Sequence, residues 1–180
     1  MRPAFGRFCR VCPICDGRAC AGEIPGAGGV GTGRSFQNNV KALADVKLKQ
    51  RILHNVTEPD TRVTLFGQQL ALPVMAAPIS GISFNWNGFI AEADYAAAVV
   101  GGSVQAGTLG WIGDSKDPEL YTVGLAAVAA NGGHGVPTIK PRENEAILAL
   151  IERAAAAGAP AVAIDVDAAA LINMTAAGQA

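Results

Sequence analysis

The chain has 180 residues, which suits one ordinary domain, and half of them are hydrophobic, which excludes a disordered chain. Charged residues make up 16% and the formal net charge is -1, so the composition does not favour binding to nucleic acid or to an anionic membrane surface. No apolar run reaches the roughly 18 residues of a membrane span. No signal-peptide h-region follows Arg2 and Arg7. We therefore expect a cytoplasmic globular protein whose cysteines stay reduced.

Residues 1–34 are rich in glycine, proline and cysteine, show no periodicity, and are interpreted as a segment separate from residues 35–180. This segment contains four cysteines in the pattern C-x2-C-x2-C-x4-C: Cys9, Cys12, Cys15 and Cys20. The pattern differs from bacterial ferredoxin spacing by one extra residue and by the lack of a following proline. Four thiolates this close could bind zinc or an iron–sulfur cluster, and free or redox-active thiols are the alternative.

The stretch after the cysteines predicts one helix and one β-hairpin. Residues 35–46 carry apolar side chains at helical spacing, and Ser35 suits the N-cap. Extended runs at 63–66 and 70–72 flank a turn that contains Gly67, which predicts the hairpin.

From residue 74 onward, short apolar runs alternate with helical stretches. The predicted strands cover 74–77, 103–106, 136–139 and 161–164. The predicted helices cover 89–100, 118–130 and 143–157, and Gly158 stops the last one as its C′ residue. This alternation indicates right-handed βαβ units and a parallel sheet. Four such units suit either a doubly wound sheet or half of a (β/α)8 barrel, and periodicity does not choose between them.

The choice comes from the residues that lead into the first strand. Three runs carry the resemblance: RILHNV at 51–56, GQ at 67–68 and LPVMAAP at 72–78. Together they resemble the entry to the first barrel strand of FMN-dependent α-hydroxy-acid oxidases, the family of glycolate and lactate oxidases. Weaker similarity extends from about Pro25 to the last residue. The resemblance implies an α/β fold of the (β/α)8 TIM-barrel type, of which the chain holds about the first four βα units, a half-barrel. It also implies FMN-dependent oxidation of 2-hydroxy acids, with hydride passing to flavin N5.

The resemblance further implies which residues face the flavin, from the ends of the four strands. These expected contacts are Ala77, Pro78, Ile79, Ser80, Thr108, Lys140 and Asp165. At the first strand end the contact would come from backbone amides, and small side chains there permit close approach. Each position has a plainer alternative: a strand end that packs a loop, a threonine that caps a turn, a solvated lysine, or an acidic helix N-cap.

Asp167 is the expected catalytic residue, because it matches the family's aspartate that hydrogen-bonds the catalytic histidine and supports its positive charge. The family's third-strand glutamine and tyrosine fall on Gly135 and Pro137. Its substrate-clamping arginine falls on Met174, which cannot hold a carboxylate in a bidentate manner. In the family, the catalytic histidine, a lysine and a further arginine lie beyond the fourth strand. We therefore expect a truncated chain that is inactive on its own.

Two other functions remain open. The chain could be a non-catalytic half-barrel that needs a partner half, or a metal or electron-transfer protein centred on its four cysteines. Because four strands do not close a barrel, we expect a homo-oligomer or pairing with a partner half-barrel. A small 2-hydroxy acid is the expected ligand of the completed barrel.

Overall fold

The computed structural model describes residues 9–22, 28–29, 31–85 and 88–166, and the chain divides into two units, Met1–Pro59 and Asp60–Ala180. In the first unit, helix α1 (Arg34–Asp45) follows Gly33, which takes the N-cap place with a φ of 65°. The prediction of Ser35 as N-cap is therefore wrong, and Ser35 lies in the first turn. Glycine adopts this left-handed conformation without the steric cost that a side chain brings.

The second unit begins with the predicted hairpin. Strands β1 (Val63–Leu65) and β2 (Gln68–Leu70) pair antiparallel, and both residues of the turn, Phe66 and Gly67, have positive φ, at 52° and 73°. Two such residues are the signature of the type I′ turn that suits the strand twist. The hairpin is confirmed, although its second strand begins earlier than predicted. The Phe66 ring packs against Trp111 with centroids 6.4 Å apart, which offsets part of the backbone strain.

Four helices follow the hairpin among the described residues. They are α2 (Ile82–Asn85), α3 (Glu92–Gln105), α4 (Pro118–Ala130) and α5 (Asn144–Ala156). The three long ones each end at a glycine with positive φ: Gly107, Gly132 and Gly158. In each case the glycine N–H and the next N–H donate to carbonyls of the last helical turn, which is the Schellman arrangement. The predicted C′ role of Gly158 is confirmed.

The described strands of the main sheet are β3 (Gly110–Ile112), β4 (Gly135–Ile139) and β5 (Ala163–Ile164). They are parallel and lie in the order β3-β4-β5, and Ile79 forms a parallel bridge with Ile112 on the other side of β3. Four consecutive segments of the chain thus lie side by side in chain order. A doubly wound sheet would instead reverse its strand order, so the described part matches a portion of a barrel wall.

The predicted strand at 103–106 is wrong. Helix α3 continues through Gly101 and Gly102, where the predicted helix ended, as far as Gln105. The strand begins instead at Gly110. The third and fourth predicted strands are confirmed in place, although the fourth is shortened to β5.

The predicted strand at 74–77 is not a strand in the structure. The Val74 carbonyl accepts a hydrogen bond of 2.8 Å from the Thr108 hydroxyl and thus has a side-chain partner. Pairing with β3 occurs two residues later than predicted, in the single bridge of Ile79 to Ile112. This segment therefore neighbours β3 as expected, but without a continuous ladder.

Apolar side chains pack on both faces of the sheet. The buried cluster on the helix side consists of Ala96, Val100, Ile112, Tyr121, Leu125, Ala127, Val128, Ile139, Leu150 and Ala154. The second cluster consists of Leu70, Leu109 and Val136. In the helix-side core, the Tyr121 hydroxyl donates to the Leu150 carbonyl at 3.2 Å. None of the described helices is long and apolar enough to cross a membrane.

Candidate functional site

A polar residue follows each of the four neighbouring segments of the main sheet. Ser80 follows the bridge residue Ile79, Asp114 follows β3, Lys140 follows β4 and Asp165 follows β5. Parallel strands bring their carboxyl ends to one edge, where α/β proteins bind ligands. We call this edge the rim and define it as Ser80, Asp114, Lys140, Arg142 and Asp165.

Asp114 joins three of these strand ends. Its carboxylate is fully buried; Oδ2 forms an ion pair with Arg142 and accepts the backbone N–H of Lys140 at 3.0 Å. Oδ1 accepts the backbone N–H of Ser115 at 2.7 Å. The Ser80 hydroxyl donates to the backbone carbonyl of Asp114, also at 2.7 Å. The first, second and third strand ends are thus held together through one residue.

Lys140 extends this network to the fourth strand end. Its ammonium group forms an ion pair with the Asp165 carboxylate, and the two side chains are 18% and 24% exposed. The backbone N–H of Asp165 donates to the Ile139 carbonyl at 2.9 Å. Both side chains are thus shielded from most of the solvent but not buried. With Arg142 and Asp114 included, the two cations and two carboxylates of the rim balance in charge.

The structure also shows which side chains of β4 face away from the helices. A Cβ on Gly135 would lie 2.6 Å from Val128 Cγ2, so Gly135 faces helix α4. Because strand residues alternate, Pro137 faces the helices too, whereas Val136, Thr138 and Lys140 share the opposite, inner face. The comparison of the family's glutamine and tyrosine with Gly135 and Pro137 therefore points to the wrong face of β4.

Thr138 is a polar inner-face residue that the sequence interpretation missed. It is buried, and its hydroxyl has no hydrogen-bond partner among the described residues. It lies two residues before Lys140 on the same face, toward the amino end of β4. Counting two residues back from Lys140 along an alternating strand would have found it.

The first strand end is exposed. Ala77, Pro78 and Ile79 are exposed, as a ligand-contacting edge requires. The loop that follows is held by Glu92, whose carboxylate accepts the backbone N–H groups of Gly81 at 2.9 Å and Ile82 at 2.8 Å. This edge is therefore accessible, and the chain immediately after it is tethered to helix α3.

Thr108 does not join the rim. It precedes β3 and lies at the amino end of that strand, where its buried hydroxyl donates to Val74. The prediction that it stands at a carboxyl strand end is wrong, because the strand itself was placed too early in the sequence. Asp167, the expected catalytic residue, lies outside the described residues.

The four cysteines do not form a metal site in the structure. Cys12 and Cys15 are exposed, whereas Cys9 and Cys20 are half-buried. Within the described part of the chain, no three histidine, cysteine, aspartate or glutamate side chains come together in a way that could hold a metal ion. The structure therefore gives no support to the zinc or iron–sulfur interpretation. Spacing along the sequence was its only basis, and spacing does not bring thiolates to a common centre.

Comparison with known proteins finds a matching family and similar proteins. A family model described as FMN-dependent dehydrogenase matches residues 26–179. Proteins named L-lactate dehydrogenase are similar over 52 residues: 42% identical in Actinobacillus pleuropneumoniae serotype 5b (strain L20), 46% in Caulobacter sp. (strain K31) and 38% in Alcaligenes faecalis. Each match covers 29% of this chain and 14% of the relative. No solved structure matches.

Proposed function

The chain belongs to the FMN-dependent dehydrogenase family, and from this premise we propose that it is the N-terminal half of a (β/α)8-barrel enzyme that oxidises 2-hydroxy acids. The observation that carries the proposal is the rim, since polar groups stand at the carboxyl ends of four neighbouring segments in chain order. This is the edge at which barrels of this type place their chemistry. The similar proteins named L-lactate dehydrogenase support the 2-hydroxy-acid class.

The rim fits one part of FMN, its flat ring. The exposed segment of Ala77, Pro78 and Ile79 offers room for a ring edge, with Ser80 anchoring the end of this segment. The Lys140 ammonium, beside Asp165, can donate to a ring carbonyl oxygen. When bound, FMN supplies the hydride acceptor for the 2-hydroxy acid. Asp167, two residues after Asp165, is proposed to hold the catalytic histidine of the complete barrel in its charged form.

A second candidate is a half-barrel that functions by pairing with another half, either a second copy or a different chain. This candidate is favoured by exposed apolar side chains on the last helix and strand that the structure describes, α5 and β5. Here Leu148, Ile164 and Val166 are 59%, 43% and 72% exposed. Large apolar side chains at the side of a barrel wall are what a neighbouring βα unit would cover. We name these three residues the outer flank.

The flavin part of the proposal is tested by titrating FMN with the purified chain and following flavin fluorescence and absorbance. We expect weak, saturable binding, since a few ring contacts must offset the cost of ordering the cofactor. Lys140→Met should weaken it, whereas Lys41→Met, which removes an exposed lysine of helix α1, should not. No saturable change with the unaltered chain would contradict flavin binding by this half. Equal effects of the two substitutions would contradict the role of the rim.

A further inference from the structure

We infer that Asp114 is the positioning residue of the rim: it fixes the backbone of Lys140, and through it the place where the Lys140 ammonium meets Asp165 and a bound ligand. The ligand half of this inference rests on the proposed function. The positioning half rests on contacts within the chain alone.

The contacts form a closed ring around one peptide segment. The Lys140 N–H donates to Asp114 Oδ2 at 3.0 Å, and the Lys140 carbonyl accepts from Arg142 Nε at 3.3 Å. Arg142 in turn pairs with the same Asp114 carboxylate. Both polar groups of the Lys140 backbone are therefore occupied. Pro141, between the two basic residues, further restricts the chain because its φ is fixed by its ring.

Only a carboxylate suits the centre of this ring. Three groups that contact the Asp114 carboxylate are the Ser115 N–H, the Lys140 N–H and the Arg142 guanidinium, and each of them is a donor. An ionised carboxylate has two acceptor oxygens and no proton to conflict with them. An asparagine of the same shape would turn its NH2 group toward at least one donor. Asp114→Asn is therefore nearly isosteric but chemically mismatched.

The position of Asp114 also explains how the Lys140 ammonium is held in one place at the end of β4. A lysine side chain is long and flexible, so its ammonium has a defined place only when the backbone that carries it is held. Here the backbone is held on the side of β3 by Asp114, and the ammonium is held on the side of β5 by Asp165. Lys140 thus spans from one strand end to the other with both of its ends fixed.

The test measures how fast an amine-acylating reagent labels Lys140, by mass spectrometry on the folded chain, with exposed Lys41 as the internal reference. In the unaltered chain Lys140 should react several-fold more slowly than Lys41, since it is shielded and paired. Asp114→Asn should raise the Lys140 rate several-fold. Asp165→Asn, which removes the ammonium's partner directly, should raise it as well.

A core variant separates positioning from simple loss of stability. Val100→Ala removes buried volume in the helix-side core, away from the rim, and should lower the melting temperature without changing the Lys140 rate below the transition. If Val100→Ala raises the Lys140 rate as much as Asp114→Asn does, the inference is overturned. If Asp114→Asn does not fold, Arg142→Lys replaces it. That variant keeps a cation for Asp114 but loses the Nε donor, and it should raise the rate to a smaller extent.

An FMN titration distinguishes this inference from the proposed function. If FMN binds, Asp114→Asn should weaken binding, and adding it to Lys140→Met should weaken binding no further, because one acts through the other. Additive effects would overturn the inference while leaving the flavin proposal standing. If the chain does not bind FMN at all, the flavin proposal fails, and the labelling rates still decide the role of Asp114.

Discussion

The hydroxyl of Ser80 donates a hydrogen bond of 2.7 Å to the backbone carbonyl of Asp114, thirty-four positions further along the chain. Among the described residues, one sheet bridge, Ile79 to Ile112, joins the first strand end to β3, and this hydrogen bond adds a second connection. Ser80→Ala should lower the free energy of unfolding by about 1–2 kcal/mol, measured by urea titration. Ser83→Ala, at an exposed position nearby, is the control and should change it by less than about 0.5 kcal/mol. A loss for Ser80→Ala no larger than that for Ser83→Ala would contradict a stabilising role for the bond.

The buried Tyr121 predicts that the stability of the fold falls at alkaline pH. Burial raises the pKa of Tyr121 to about 12, and the Asp114 charge acts in the same direction. In the unfolded chain the phenol loses its proton near pH 10, whereas in the folded chain it keeps the proton until about pH 12. The unfolded state therefore binds fewer protons in this window, and stability falls as pH rises from about 10 to about 12.

Tyr121→Phe tests this relationship. The variant should lose about 1 kcal/mol near neutral pH, because the Leu150 carbonyl loses its hydrogen-bond donor. Between about pH 10 and 12 its stability should decline less than that of the unaltered chain. Tyr95, whose pKa is also raised by burial, remains in both proteins and contributes equally. Parallel pH curves for the two proteins would contradict the assignment to Tyr121.

The sequence predicted the order of the elements better than it predicted their ends. Gly158 was recognised as a helix stop because a strongly periodic helix precedes it. Gly107 has the same conformation and the same pair of hydrogen bonds, yet was passed over, because the predicted helix was ended just before Gly101 and Gly102, which α3 includes. That error placed the second predicted strand too close to the N-terminus. It also assigned to Thr108 the position at the carboxyl end of the strand, which Asp114 occupies.

The rim network depends on spatial relations that a single sequence does not contain. Ser80, Lys140 and Asp165 were selected because a family resemblance marked their strand ends. Asp114 and Arg142 pair across 28 positions, and neither lies in a motif that suggests the other. Thr138 was missed for a different reason. The face to which it belongs becomes clear only when Gly135 is seen to pack on Val128.

Two glycines with open surroundings should respond to alanine in opposite directions. A Cβ on Gly67 or on Gly102 would have no atom within 4 Å, so neither substitution creates a clash. Gly67 has a φ of 73° in the hairpin turn, and Gly67→Ala should cost about 1 kcal/mol because a side chain strains that conformation. Gly102 lies inside helix α3, and Gly102→Ala should stabilise by about 0.5–1 kcal/mol. Thermal melts of both variants check the signs. A shift of both in the same direction would contradict the argument from backbone conformation.

The outer flank predicts self-association. Apolar burial contributes roughly 25 cal/mol per Å2, so covering even a few hundred Å2 favours pairing by several kcal/mol before the cost of association is subtracted. We expect the purified chain to form dimers or larger species in sedimentation velocity at micromolar concentration. Leu148→Glu and Ile164→Glu should each shift the distribution toward monomer, because a carboxylate is costly to bury against an apolar surface.

The matched control is Leu53→Glu, at an even more exposed leucine in the first unit. If exposed apolar area alone drives association, Leu53→Glu should act as strongly as the flank substitutions. If the outer flank is what pairs, as we expect, Leu53→Glu should leave the distribution unchanged, because Leu53 is not one of the flank residues. A clean monomer for the unaltered chain, with a cooperative melt, would show that the flank needs no partner. The pairing candidate would then fail, while the flavin proposal would rest on the rim as before.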